Sequence, residues 1–517
     1  MNKKTIIVIV AIIATVSVAV AAYTLTNHDN GKDYSNTEIG EIGTYVPIYG
    51  NANGDLYIND DDVDMIEYLI KQIAENGETA WDSAKAPYAD ANCDGKITEK
   101  DVELVKKIIN VESCEVFYED YFGDVTAVNF PLTNRNIAVT YYQQAEACAI
   151  LGVLDDVTVA SMAATVYGTM WPTLDDAVVW GTTGSSAITD DAVEKFIAND
   201  VTLVICTPRT ENQELAQRLH EERNIDFIQL WYNGNYCIST IQTMGILMDC
   251  QDKSQAYMDY CNGVIDKLTS TITNKDSTRL MVINGYSTTN DRLTVMANER
   301  HGSYVLINKY LGNCYYEDGT NQFGFVYHNI EWLVENGQDV DAIVFCMSGN
   351  SGYSDDQSTG TYYTADAYNE KFETEVSYFT QVNAYKTGEI IGSVYANMFG
   401  FSAYAVLELI AAQLYPDLFT LNEATATLQD WFDNYDVVDI DVTEQGPISY
   451  TGTAYETSYP QLSMSTSNNC GNSVEENTVS GCEMTAIDET PETAVPDCSK
   501  IDGCTGTETV ENPGNKP

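Results

Sequence analysis

Between residues 114 and 441, short apolar runs alternate with longer stretches in which apolar residues recur every three or four positions. The runs are 137–139, 158–160, 203–205 and 227–230 in the first half, then 280–283, 342–345 and 390–394 in the second. Helical periodicity fills the intervals, as at 191–198 and 211–222. Alternation of this kind predicts parallel sheets covered by helices. Between the two sets, residues 237–273 keep a helical pattern without proline, with Gly245 and Gly263 as the weak points. The expected fold class is α/β: two lobes with mainly parallel sheets, 114–236 and 277–441, bridged by one long α-helix. A small all-α module, 45–111, precedes them.

That module contains two copies of one loop. The second runs Asp90, Asn92, Asp94, Gly95, Lys96, Ile97, Thr98, Asp101, with side-chain oxygens at loop positions 1, 3, 5, 9 and 12. A calcium ion takes six to eight hard oxygen ligands, and this spacing wraps a chain around one ion, position 7 adding the Lys96 carbonyl. Gly95 permits the sharp turn. The first copy offers Asn51, Asn53, Asp55, the Tyr57 carbonyl, Asn59 and Asp62, but has Leu56 where glycine is expected and a neutral residue first, which predicts weaker binding or a strained turn. A helical pattern follows each loop: Val63, Ile66, Leu69, Ile70 and Ile73, then Val102, Leu104, Val105, Ile108 and Ile109. Paired loop-and-helix copies closed by Asp instead of Glu resemble the dockerin type I module. The resemblance implies calcium-dependent folding and a cohesin-domain partner; a calcium-stabilised spacer is the alternative.

Composition narrows the rest. With 25 basic and 77 acidic residues the net charge is −52, a surface that repels phosphate backbones and argues against a nucleic-acid partner. Lys3 and Lys4 precede an uncharged apolar run, 6–22, so residues 1–23 are expected to be a signal peptide or an N-terminal membrane anchor. Either reading puts the rest outside the cytoplasm, on the membrane's outer face or secreted, with 24–44 as a polar stalk. Residues 446–517 are acidic and rich in Ser, Thr and Pro, the composition of a disordered tail; Cys470, Cys482, Cys498 and Cys504 there could pair. Cys148, Cys206 and Cys346 lie in apolar runs and are expected to be buried.

The large body also resembles a family, the helix-bridged solute-binding proteins of ABC importers for iron complexes, haem and cobalamin. The carriers are the opening 122–137, the turn 146–155, the strand 201–205, the segment 379–390 and the closing LELIAAQLYPDLF at 407–419. One departure is Asn199-Asp200-Val201 where the family usually has Pro-Asp-Leu. The resemblance implies capture of a metal chelate between the lobes and delivery to an ABC permease and its ATPase. Because open α/β sheets bind at the carboxyl ends of their strands, the candidate cleft residues follow the predicted strands. They are Tyr141, Tyr142, Tyr167, Trp171, Thr207, Arg209, Trp231 and Tyr232 from the first lobe, and Tyr286, Ser348, Asn350, Tyr353, Asn397 and Met398 from the second. Rings supply contact area, and Arg209 suits a carboxylate or phosphate. His220, His301 and His328 have no close ligand spacing, so an already chelated metal is expected in place of a bare ion. No catalytic residues are expected: GxxxxGK[ST], HExxH and GxSxG are all absent from the sequence. The competing classes are a dockerin-bearing polysaccharide-degrading enzyme and a non-catalytic surface adhesin.

Overall fold

In each copy of the loop-and-helix repeat, one aspartate both closes the loop and starts the helix behind it. Asn59 caps Asp60–Asn76 (α1) and Thr98 caps Glu99–Ile109 (α2), each through a capping box completed by Asp62 or Asp101. The apolar faces of the two helices meet in a core of Val63, Ile66, Leu69, Val102 and Val105.

The structure, a computed structural model, describes residues 40, 43–77, 86–161, 164, 171–181, 187–318, 324–347, 372–387, 390–394, 398–436 and 441–442. All of them lie in the compact unit Met1–Thr466; the second unit, Ser467–Pro517, lies outside the described residues. The N-terminal apolar run and the acidic tail also fall outside them. Among the described residues no helix is long and apolar enough to cross a membrane.

The body opens with an antiparallel hairpin, Cys114–Glu119 (β1) and Val125–Phe130 (β2). The first lobe follows as Ile137–Val139 (β3), Tyr142–Ile150 (α3), Val157–Ser161 (β4), Val178–Trp180 (β5), Asp190–Ala198 (α4), Leu203–Cys206 (β6), Thr210–Arg223 (α5) and Asp226–Gln229 (β7). Its five strands are all parallel, in the order β5-β4-β3-β6-β7. The order reverses at β3, which leaves a crevice beyond the strand exits there.

The bridge is not continuous over 237–273. Cys237–Leu247 (α6) stops, and the long helix Gln251–Thr271 (α7) starts after three intervening residues. Asp249 adopts left-handed φ of 55°, while Cys250 N–H donates to Gly245 O at 2.7 Å and Asp249 N–H to Ile246 O at 3.2 Å. Such paired bonds around a left-handed residue end a helix. Aspartate tolerates that conformation, so the break leaves no glycine or proline mark. All of α6 is buried. α7, roughly 31 Å long at 1.5 Å per residue, packs on α3 of the first lobe and on helices of the second.

The second lobe contains Arg279–Ser287 (β8), Arg292–Met296 (β9), Gly302–Tyr310 (α8), Asn313–Cys314 (β10), Phe325–His328 (β11), Ala342–Met347 (β12), Ile390–Val394 (β13), Ala403–Leu414 (α9) and Leu421–Trp431 (α10). Its sheet runs β11-β9-β8-β12-β13, with β10 beside the start of β8. β8, β10, β12 and β13 pair in parallel, but β9 runs antiparallel to both its neighbours, β8 and β11, so this sheet is mixed. Cys148, Cys206 and Cys346 are buried, as their apolar runs required.

The lobes touch through the segment before α9. Gln143 Nε2 donates to Phe399 O at 2.7 Å, Phe401 N–H donates to Glu146 Oε2 at 3.3 Å, and Tyr257 O–H donates to Phe401 O at 3.2 Å. A second contact is backbone on backbone: a Cβ on Gly302 would fall 2.8 Å from the Gly234 Cα.

Helix propensity alone makes Gly245→Ala stabilising by up to about 1 kcal/mol. In the fold a Cβ there would lie 2.5 Å from the Ser254 Cβ on α7. The expected outcome is the opposite sign, a loss of about 1–3 kcal/mol from overpacking in denaturant unfolding.

Candidate functional site

The exits of β3, β6 and β7 bring Tyr141, Thr207, Arg209, Trp231 and Tyr232 to one cavity of about 430 Å³. Phe325 on β11 and Phe399 before α9 close it from the second lobe, and Tyr121 and Phe122, in the hairpin turn, form a further wall. Tyr121 stacks on Trp231 with ring centroids 4.8 Å apart. Gln143 and Asn233 also line the space.

Among the described residues lining this cavity, Arg209 is the one cation. It precedes α5, whose first turn also faces the space through Thr210 and Glu211. Its Nε is buried without a hydrogen-bond partner, and among the described residues no carboxylate pairs with it. Burial pushes the Tyr141 and Tyr232 hydroxyls up, so both are neutral at physiological pH. Rings around one unneutralised guanidinium can hold a flat or apolar molecule that carries negative charge.

The other expected cleft residues lie elsewhere. Tyr142 and Trp171 are buried in the core, Trp171 beyond the exit of β4 on the far side of β3. Tyr286 packs on Tyr378 and donates its O–H to Asp291 at 2.8 Å. Met398 is buried, and its carbonyl accepts from Ser303 Oγ at 2.6 Å. Tyr167, Ser348, Asn350, Tyr353 and Asn397 lie outside the described residues. Tyr121, Phe122 and Phe325 follow no predicted strand, and Phe399 is the residue just after the candidates Asn397 and Met398.

Behind the second-lobe wall, His301 is fully enclosed between Phe325 and Phe399, at ring distances of 4.9 and 5.4 Å. Both its nitrogens lack hydrogen-bond partners, and burial lowers its pKa to about 3.

The two candidate calcium loops share one scaffold. Asp62 accepts from the backbone N–H groups of Asn53 at 3.2 Å and Asn59 at 2.8 Å. Asp101 accepts from those of Asn92 at 3.1 Å and Thr98 at 2.8 Å. Both carboxylates are fully buried, and no basic side chain among the described residues pairs with either. Burial pushes Asp62 up to about 7. Enclosed carboxylates without a counter-charge fit a cation, since a metal would compensate the desolvation. Among the described residues no three His, Cys, Asp or Glu side chains converge as a metal site. The loops would complete their oxygen sets with Asn51, Asn53, Asp55, Asn59, Asp90, Asn92, Asp94, Thr98 and the Tyr57 and Lys96 carbonyls. At Leu56 the expected strain does not arise: the left-handed positions are Gly54 in the first loop and Cys93 and Gly95 in the second. Both loops share one bond, Asp55 N–H to Asn51 Oδ1 and Asp94 N–H to Asp90 Oδ1, each at 3.2 Å; what differs is that Gly95 N–H also donates to Asp90 Oδ2 at 2.7 Å, whereas Asn51 Nδ2 is itself a donor, to Val46 O and Asp55 O.

Two α/β lobes bridged by a helix around a ringed cavity, behind a pair of loop-and-helix repeats, define a two-lobed α/β fold with a small helical module. Residues 49–110 match the dockerin type I domain, and this segment is a dockerin type I module. No curated protein matches the chain. Among solved structures it is similar to a TroA-like periplasmic binding protein, FepB, from Veillonella parvula, at 15% identity over 65% of this chain and 97% of that one, TM-score 0.47. It is also similar to a periplasmic haem-binding protein from Pseudomonas aeruginosa, at 14% identity over 55% and 94%, TM-score 0.41. A third is the petrobactin-binding protein YclQ from Bacillus subtilis, at 16% over 57% and 96%, TM-score 0.39.

Two outcomes follow from this geometry. A histidine that stays neutral in the fold but charges in the unfolded chain favours unfolding in acid. Stability present above pH 6.5 should therefore fall by about 1.4 kcal/mol per pH unit as pH drops toward 3. His301→Phe should flatten that part of the wild-type curve in denaturant unfolding across pH. Asp101→Ala should abolish calcium binding by the second loop and lower the helicity of the module, read by calorimetric titration and circular dichroism, because metal binding and folding are one free energy in such units.

Proposed function

We propose that this protein is an extracytoplasmic solute-binding protein that captures an anionic metal chelate between its lobes and passes it to an ABC permease and its ATPase. Iron–siderophore, haem and cobalamin-like compounds are the cargo class. The observation that carries the reading is the unpaired Arg209 in an inter-lobe cavity walled by Tyr121, Tyr141, Trp231, Phe325 and Phe399. Its volume of about 430 Å³ is within the usual range for small-molecule sites. The calcium module is the docking device, with a cohesin-domain protein as its partner, and the N-terminal apolar run is the export signal or membrane tether.

A polysaccharide-cleaving reading needs two carboxylates across a scissile bond. Among the described residues lining the cavity, Glu211 is the one carboxylate, which favours binding over hydrolysis.

The test is a thermal-shift and titration panel of ferric siderophores, haemin and cobalamins. One class should raise Tm, and Arg209→Ala should weaken its binding by about 10- to 100-fold, the worth of a charged hydrogen bond, without changing the ligand-free Tm by more than a degree or two. No shift with any of them, or sugar release from a glycan panel that is lost in Glu211→Gln, would overturn the reading.

A further inference from the structure

The calcium module is not hung on the body by a loose linker; the segment that leads into its first loop is part of the body's sheet and core. Ile48 bridges Tyr118 in antiparallel fashion, Tyr49 N–H donates to Phe117 O at 2.8 Å, and Glu119 N–H donates to Pro47 O at 2.8 Å. Val46 and Ile48 are fully buried in the same core as the strands of both lobes. On the far side of the loop, Leu56 and Ile58 pack on that core, and Tyr57 O–H lies 3.9 Å from Met258 Sδ on the bridging helix α7.

The first loop holds this lead-in segment directly. Asn51 Nδ2 donates to Val46 O at 2.7 Å and to Asp55 O at 2.8 Å, while Val46 N–H donates to Asp55 O at 2.9 Å. Asn51 and Asp55 are also the first and fifth oxygen positions of the loop. From the lead-in segment the path continues along β1 to the hairpin turn. There Asp120 Oδ1 accepts from Phe122 N–H at 2.8 Å and Asp124 N–H at 3.1 Å, fixing Tyr121 and Phe122 against the cavity. A loop whose order comes from its metal cannot hold these neighbours as firmly without it.

We propose that calcium in the first loop orders the hairpin wall of the ligand cavity, so that calcium and cargo reinforce each other's binding. By linkage, whatever factor calcium adds to cargo affinity, cargo adds to calcium affinity. The inference rests on the calcium and cavity assignments above, and its test is independent of the cargo's identity.

The experiment is hydrogen exchange on the full chain in calcium and in chelator, with calcium binding followed by calorimetry. Peptides covering 114–130 and 231–236 should exchange about tenfold or more slowly with calcium. Asp62→Asn should lose that protection. Ile48→Ala lies outside the loop's oxygen set but thins the packing of the lead-in segment on β1, and it should keep calcium binding while reducing the protection of 114–130. If calcium binds and protects only 43–77, leaving 114–130 unchanged, the inference is overturned while the calcium assignment stands. If calcium does not bind, both are overturned.

Discussion

An edge strand leaves a row of backbone groups with no ladder partner, and a protein must cover them. In the first lobe β7 is one such edge, and the phenol of Tyr118 on β1 covers part of it. Tyr118, fully buried, donates its hydroxyl to Phe227 O at 3.1 Å and accepts from Gln229 N–H at 2.9 Å. Asn129 on β2 adds its backbone N–H to Asp226 Oδ1 at 3.1 Å. Fixing the hairpin here has two effects: its outer edge is offered to residues 47–49, which anchors the calcium module, and its turn is carried to Trp231, just past the end of β7. The module, the edge and the cavity wall thus share one short stretch of chain.

The cavity's charge has to be weighed against the rest of the molecule. A chain of net charge −52 repels anions at long range, but charges beyond about 8 Å are largely screened at physiological salt. Inside the cavity the local balance is set by Arg209, whose Nε is buried and unpaired, against the more exposed Glu211. A half-buried guanidinium lining the cavity outweighs a distant, solvated field. The acidic surface therefore opposes approach more than it opposes binding.

Much of this was legible in the sequence, for identifiable reasons. Buried parallel strands write themselves as continuous apolar runs, so β3, β6, β12 and β13 stand out. The calcium loops are read from ligand spacing. The strand-exit rule finds Tyr141, Arg209, Trp231 and Tyr232 because β3, β6 and β7 lie together in the sheet. It misplaces Trp171 because β4 lies on the other side of the switch in strand order, a fact of topology with no trace in local pattern. Tyr121 and Phe122 are hidden for a similar reason: their turn reaches the cavity only because Tyr118 ties the hairpin to β7. The halt in the bridge at Asp249 is silent because an aspartate takes a conformation more often left to glycine. In the second lobe, β9 and β11 are short and half polar, which conceals the antiparallel part of the sheet.

The meeting of Gly234 and Gly302 sets a limit on how this molecule can vary. Where side chains separate two bodies, a change of rotamer can absorb a small misfit; where peptide planes touch, nothing soft lies between them. Any residue larger than glycine at either position would act as a wedge, propping the halves apart at the rim of the cavity. The fit between the lobes is therefore written in two absent methyl groups, and drift at those sites would change how tightly the molecule shuts before it changed what it holds.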